Sequence, residues 1–150
     1  PRHAQRADEI TNEIRDMGLK VQVHSSSNKT NNNTEIYLVD TFGETKSFFK
    51  ICKTVFLGGS IINHGGQNPL EPVRFGCRIL HGPNIQNFAE VYNLLEKNNL
   101  SHKFYNSNQL AKLVDKSFGK KMNTINKIRK IKKTDSNILN NTLIEINHYL

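Results

Sequence analysis

The chain has few cysteines, no long apolar run and too few acids to balance its bases. Its two cysteines, Cys52 and Cys77, lie beside apolar residues and lack CxxC or Cys/His spacing. A disulfide framework and a thiolate metal centre are therefore set aside, and both thiols are read as reduced. No apolar stretch approaches the roughly 18 residues of a membrane-spanning helix, and no signal-peptide pattern is present. The six histidines are scattered, without a Ser-His-Asp, Cys-His or metal-ligand cluster, so no metal and no cofactor is expected. There is no internal repeat. Acids number 13 against 21 Lys/Arg, a net charge of +8. The excess sits in one segment. Lys116, Lys120, Lys121, Lys127, Arg129, Lys130, Lys132 and Lys133 follow one another with no intervening acid, and the rest of the chain carries 13 charges of each sign.

At 150 residues the chain reads as a single domain over 1–150, able to bury roughly two-thirds of its unfolded surface. It opens at Pro1 rather than Met and is expected to be a fragment, with a strand preceding Pro1.

What is present centres on residues 58–72. Thr54 to Leu57 is a short β-rich apolar run, and Gly58, Gly59, Ser60, Gly65 and Gly66 form the loop that follows it. Asn68 reads as an N-cap, Pro69 as a first helical residue, and Glu71 as the carboxylate reaching back to the cap. Strand, glycine-rich loop and helix N-terminus form an arrangement that lets backbone approach a ligand and offers unpaired N–H groups to an anion. Four glycines in nine residues are entropically costly unless a ligand or close contact needs them. The loop is neither a Walker A sequence nor GxGxxG.

Elsewhere, Ala7, Ile10, Ile14 and Met17 mark an amphipathic helix over 4–17, closed by Gly18. Residues 19–23 and 35–39 read as strands, separated by a Ser/Asn-rich surface loop over 24–33. Thr41 and Glu44 form a capping box for a helix reaching Ile51. Arg78 to His81 is a strand, and a helix beginning near Asn87 carries Phe88, Val91, Leu94 and Leu95. Residues 103–105 are read as a last strand, Ser107 as the cap of a helix bearing Leu110, Leu113 and Val114, and 119–132 and 136–149 as two more helices.

Strands alternating with helices imply an α/β fold, a Rossmann-like parallel sheet with helices on both faces. Ligands of such sheets bind at the carboxyl ends of the strands. The loops at Arg2-His3, Asp40–Glu44 and Gly58–Glu71 all follow strands and are expected on that edge.

The run Gly-Gly-Ser-x5-Gly-Gly-x-Asn-Pro-Leu-Glu-Pro resembles the signature of bacterial Kdo transferases (3-deoxy-D-manno-octulosonic acid transferases). These are GT-B glycosyltransferases that move Kdo from CMP-Kdo onto lipid A precursors. Gln67 stands where the signature carries His. The resemblance runs from Pro1 to about Leu95. It extends to Pro1, Arg2, His3 and Arg6, similar to the family's Pro-Arg-His-x-x-Arg, and to Phe42, Gly43 and Glu44, with Phe42 in place of a Met. Asn87, Phe88 and Glu90 resemble a further family stretch.

The resemblance implies the C-terminal, donor-binding half of such an enzyme. Arg2 and His3 would contact CMP, backbone N–H groups of Phe42, Gly43 and Glu44 would hold phosphate or base, and Glu71 would accept from ribose hydroxyls. Gly58, Gly59, Ser60, Gly65, Gly66, Asn68, Pro69 and Leu70 would complete the donor loop, with Arg6, His64, Asn87 and Glu90 as secondary candidates. It further implies an inverting transfer to lipid IVA in lipopolysaccharide core biosynthesis. An N-terminal domain absent from this sequence would supply the catalytic base, the acceptor site and an anchor at the cytoplasmic face of the inner membrane. No catalytic residue is then expected here, and the isolated fragment would be soluble and inactive.

Read from the residues alone, Glu44 and Glu71 are capping acids and His64 is a loop residue. The basic segment is a solvated helix face or a patch for anionic lipid head groups. Nucleic acid is not expected, since no aromatics interleave after Phe118. The alternative activities are another GT-B enzyme or epimerase using a uridine nucleotide, and, further off, a basic nucleic-acid-binding module.

Overall fold

The computed structural model describes residues 4–26 and 31–118. Pro1, Arg2, His3, the basic residues from Lys120 to Lys133 and the two last expected helices lie outside the described residues. The chain divides into two compact units, Pro1–Ser47 and Phe48–Leu150.

In the first unit a 3-10 turn (Ala4–Arg6) leads into α1 (Ala7–Asp16), whose inner face carries buried Ala7 and Thr11 with half-buried Ile10 and Ile14. Thr11 is tolerated inside because its hydroxyl donates to the Ala7 carbonyl at 2.7 Å. Gly18 closes the helix as expected. At φ +77° its N–H bonds the Arg15 carbonyl at 2.8 Å, and the Leu19 N–H bonds the Ile14 carbonyl at 3.2 Å, the paired bonds of a Schellman close. Met17 does not join the apolar face. It lies past the last helical turn and is 72% exposed.

The strands β1 (Val21–Val23) and β2 (Ile36–Leu38) pair in parallel with Val21 opposite Ile36, both shorter than the expected runs. The intervening segment is not all loop, since His24–Ser26 form a 3-10 turn. The Thr41–Glu44 capping box does not form. Gly43 has φ +89°, which a helix cannot hold, so α2 begins later (Thr45–Ile51), with the Glu44 carbonyl accepting from the Ser47 N–H at 3.0 Å.

The second unit carries a parallel three-stranded sheet in the order β3 (Thr54–Phe56), β4 (Arg78–His81), β5 (Ser101–Lys103). The described strands thus form two parallel ladders rather than one sheet. Strand β5 falls two residues before its expected place, because the ladder sets Ser101 opposite Ile79 and buries it despite its polarity. Between strands run α3 (Leu70–Arg74), a 3-10 turn (Gln86–Phe88) continuing into α4 (Ala89–Lys97), and finally α5 (Ser107–Ser117).

The core of this unit gathers Phe49, Leu70, Val73, Cys77, Ile79, Ile85, Tyr92, Leu95 and Leu100. The α4 face is led by Tyr92 and Leu95, with Phe88, Val91 and Leu94 partly buried around them. Asn106, not Ser107, caps α5: its extended backbone aims the carboxamide oxygen at the Gln109 N–H, 3.0 Å away. No helix among the described residues is long and apolar enough to cross a membrane.

Candidate functional site

The glycine-rich loop leaves the carboxyl end of β3 and enters α3. Its first anchor is Ser60, fully buried, whose hydroxyl donates to the Leu57 carbonyl at 2.7 Å and accepts from the Gly82 N–H at 2.9 Å. The Ser60 carbonyl accepts from the Asn84 N–H at 2.9 Å. The loop then closes on itself, the Gly66 N–H reaching the Gly59 carbonyl at 3.0 Å. Gly59, Gly65 and Gly66 all have positive φ, near +70°, +83° and +79°.

A second loop, residues 82–88, lies beneath the first. The Asn84 carboxamide donates to the Ile61 carbonyl at 2.8 Å, the Gln86 carboxamide to Asn63 Oδ1 at 3.2 Å, and the Asn87 N–H to the Gly65 carbonyl at 3.1 Å. The Tyr92 hydroxyl donates to the Gln67 carbonyl at 2.8 Å, fixing the far end. The loop is held by backbone, by buried Ser60 and Tyr92 and by the more exposed carboxamides of Asn84 and Gln86, while the side chains of Ile61, Ile62, Asn63 and His64 are exposed.

At the entry to α3, Asn68 Oδ1 accepts from the Leu70 N–H at 3.0 Å. Asn68 therefore does cap, but as an Asx turn one residue ahead of the helix. Pro69 occupies the cap position with helical backbone. The expected return bond from Glu71 is not made, because α3 starts at Leu70 and Glu71 is only its second residue. Glu71 is half-buried in the first turn and has no hydrogen-bond partner among the described residues. A carboxylate there is favoured by the helix dipole and open to a ligand's hydroxyls.

In the first unit, the turn holding Phe42, Gly43 and Glu44 follows β2. Phe42 is 78% exposed and Glu44 half-buried. Just before it, the Asp40 carboxylate accepts from the Ser25 hydroxyl at 2.5 Å and the Ser25 N–H at 3.0 Å, tying together the segments that follow β1 and β2. The hydroxyl bond, more than any other cause, holds Asp40 below the usual carboxylate range. Arg6 is engaged: its guanidinium forks onto Glu9 at 2.9 and 3.0 Å on the surface.

No family model matches the chain. Over 95 residues, 63% of this chain and 22% of the relative, it is 33% identical to the 3-deoxy-D-manno-octulosonic acid transferase of Haemophilus influenzae. Over 111 residues it is 31% identical to the protein of that name from Aquifex aeolicus, covering 74% of this chain and 30% of the relative. A solved structure, the C-terminal CMP-Kdo binding domain of WaaA from Acinetobacter baumannii, superposes with a TM-score of 0.71 over 91% of this chain and 66% of its own length, at 23% identity. The chain is a homologue of the Kdo transferases. It spans about a fifth to a third of the length of the curated relatives it matches. The structural likeness bears out the α/β reading of the fold.

Of the secondary candidates in this relative of the Kdo transferases, Asn87 is a strut of the glycine-rich loop and Glu90 is exposed on the first turn of α4. The ring of exposed His64 lies over Gly59, and so does the carboxamide of Gln67, the residue that departs from the family signature. Among the described residues no group of three His, Cys, Asp or Glu is placed to hold a metal ion. Sequence reasoning missed Tyr92, His81 and Ser25. Tyr92 reads as one more apolar residue of α4, and the partners of Tyr92 and Ser25, like the Glu96 carboxylate beside His81, are distant in sequence.

Proposed function

We propose that this chain binds CMP-Kdo as the donor-binding part of a Kdo transferase, residues 1–150 forming a single donor-binding domain. The observation that carries the reading is Glu71. Its carboxylate has no hydrogen-bond partner among the described residues and sits in the first turn of a helix entered from a braced, glycine-rich loop. A nucleotide sugar has complementary groups, with ribose hydroxyls to donate to Glu71 and a phosphate to meet backbone N–H groups. The turn at Phe42, Gly43 and Glu44 and the residues Arg2 and His3 belong to the same donor reading. The name of the Acinetobacter domain supports CMP-Kdo as the donor.

The whole enzyme then transfers Kdo to a lipid A precursor at the cytoplasmic face of the inner membrane. Its base and acceptor pocket come from a further, N-terminal domain, so the present chain binds donor without turning it over. The cations from Lys116 to Lys133 would favour an anionic membrane surface over nucleic acid.

The test is an amide-shift titration of the chain with CMP, UMP and a short oligonucleotide. Saturable CMP shifts over 58–71, weakened about tenfold by Glu71→Gln, support the reading, since a hydrogen bond to a charged group contributes about 1.5–3 kcal/mol. A preference for UMP moves the assignment to a uridine-nucleotide enzyme of the same fold. Shifts produced only by the oligonucleotide overturn it.

A further inference from the structure

His81 ends β4 at a position where the strand's burial calls for an apolar residue, and it is fully buried. A titratable ring in a core is costly unless its nitrogens are used. Nδ1 lies 2.8 Å from the Gly82 carbonyl, so it carries the proton and donates. The same Gly82 gives its N–H to the Ser60 hydroxyl at 2.9 Å. Gly82 can carry no side chain, because a Cβ there would overlap the Ser60 carbonyl. One string therefore runs from the ring through Gly82 to the start of the glycine-rich loop.

A second string leaves the other side of the ring. His81 lies tilted against Tyr92 at a centroid separation of 4.4 Å and an interplanar angle of 51°, and Tyr92, also fully buried, donates its hydroxyl to the Gln67 carbonyl at the loop's end. Behind the pair, Glu96 Oε1 of α4 lies 2.9 Å from His81 Nε2 and 3.7 Å from Lys103 Nζ of β5, so the ring is boxed by both neighbouring elements. Between Ser60 and Gln67 the loop holds Gly65 and Gly66 at positive φ and exposes its side chains. Left to itself such a stretch samples many conformations.

We infer that His81 and Tyr92 act as a pair of positioning residues that preorganise the glycine-rich loop for its ligand, one holding each end. The inference rests on the donor-binding reading for the identity of that ligand, and on the geometry alone for the bracing. Neither residue touches the ligand; both set the loop's shape before it arrives, which lowers the ordering cost of binding.

The experiment is amide hydrogen exchange and CMP titration on the 150-residue chain and its Tyr92→Phe variant, which keeps the ring and removes the hydroxyl. The Gly66 amide, bonded to the Gly59 carbonyl, reports loop closure. The expected result is exchange at Gly66 about tenfold faster, CMP binding about fivefold weaker, and exchange at Ile79 in β4 unchanged. A role in core packing alone would accelerate Ile79 equally, and that outcome, like an unchanged Gly66, overturns the inference. His81→Leu and His81→Gln are the second pair: Gln retains an N–H for the Gly82 carbonyl and is expected to slow Gly66 exchange relative to Leu. Loop-confined exchange changes in a chain whose parent binds no CMP would uphold the bracing and overturn the donor reading instead.

Discussion

Asn87 occupies the space that a side chain on Gly65 would need. Its N–H bonds the Gly65 carbonyl at 3.1 Å, and its carboxamide lies where a Cβ on Gly65 would sit, at a residue whose φ is +83°. Gly65→Ala therefore meets backbone strain and a clash together. The expected loss is about 1–3 kcal/mol of stability, and the proposed CMP binding is expected to weaken as the loop reshapes. Gly58 is the internal comparison, because a Cβ there meets nothing within 4 Å and no positive φ is required. Gly58→Ala is expected to change stability by no more than about 0.5 kcal/mol. Urea unfolding of the two variants checks the contrast, and equal effects would refute the account of the loop.

Ser60→Ala separates a buried hydrogen bond from packing. The hydroxyl is donor to Leu57 and acceptor from Gly82, inside a site with no exposure. Its removal leaves the Gly82 N–H unpaired, at a cost of about 1–3 kcal/mol, and frees the loop at its first anchor. The predicted outcome is a lower urea midpoint with an unchanged denaturant slope, and faster exchange at the Gly82 amide. A midpoint matching the parent chain would show that solvent or another acceptor replaces the hydroxyl.

Much of this arrangement was legible before the structure, and the misses share a physical cause. Apolar runs bounded by Gly and Asn placed β1 to β4 and α1 to α4, since burial periodicity and turn chemistry are local signals. Gly18 and the strand–loop–helix order around Ser60 were readable for the same reason. Strand β5 was misplaced because Ser101-His102-Lys103 carries no apolar pattern of its own and is recruited by pairing with β4. The choice of Asn106 over Ser107 as cap turns on one backbone angle that two neighbouring polar residues do not reveal. The Thr41–Glu44 box failed because a signal four residues long ignored the Gly between. The bracing by His81, Tyr92 and Asn84 depends on contacts between segments 22–25 residues apart, which no window of sequence contains.

The two cysteines are predicted to react differently. Cys77 is fully buried, its thiol directed at the carbonyls of Phe49 and Cys52, at 3.3 and 3.1 Å, and burial pushes it up to about 11. Cys52 is exposed. Since the thiolate is the nucleophile, brief iodoacetamide treatment of the native chain near pH 7.5 should add one label, at Cys52, and a second only in denaturant. Peptide mass mapping reads the site. Rapid native labelling of Cys77 would mean that the strand edge above it opens readily.

Stability should carry a pH signature from His81. Burial disfavours its charged form most strongly. The Gly82 carbonyl and Glu96 pull the other way and Lys103 reinforces burial, leaving the folded ring below the ordinary histidine value of 6.5. The unfolded chain then takes up the proton first as pH falls. The stabilisation from holding a neutral ring is complete above about pH 6.5 and is lost progressively below it, down to the folded value. The slope from this one group is at most about 1.4 kcal/mol per pH unit. Carboxylates held low, such as Asp40, titrate in parent and variant alike and cancel in the difference. The expected result is that the parent loses stability relative to His81→Leu between pH 7 and 5, measured by urea unfolding at each pH. A flat difference would mean that the opposing causes cancel and folding leaves the ring's proton affinity unchanged, and a difference that grows in the parent's favour on acidification would mean that Glu96 and the Gly82 carbonyl outweigh burial.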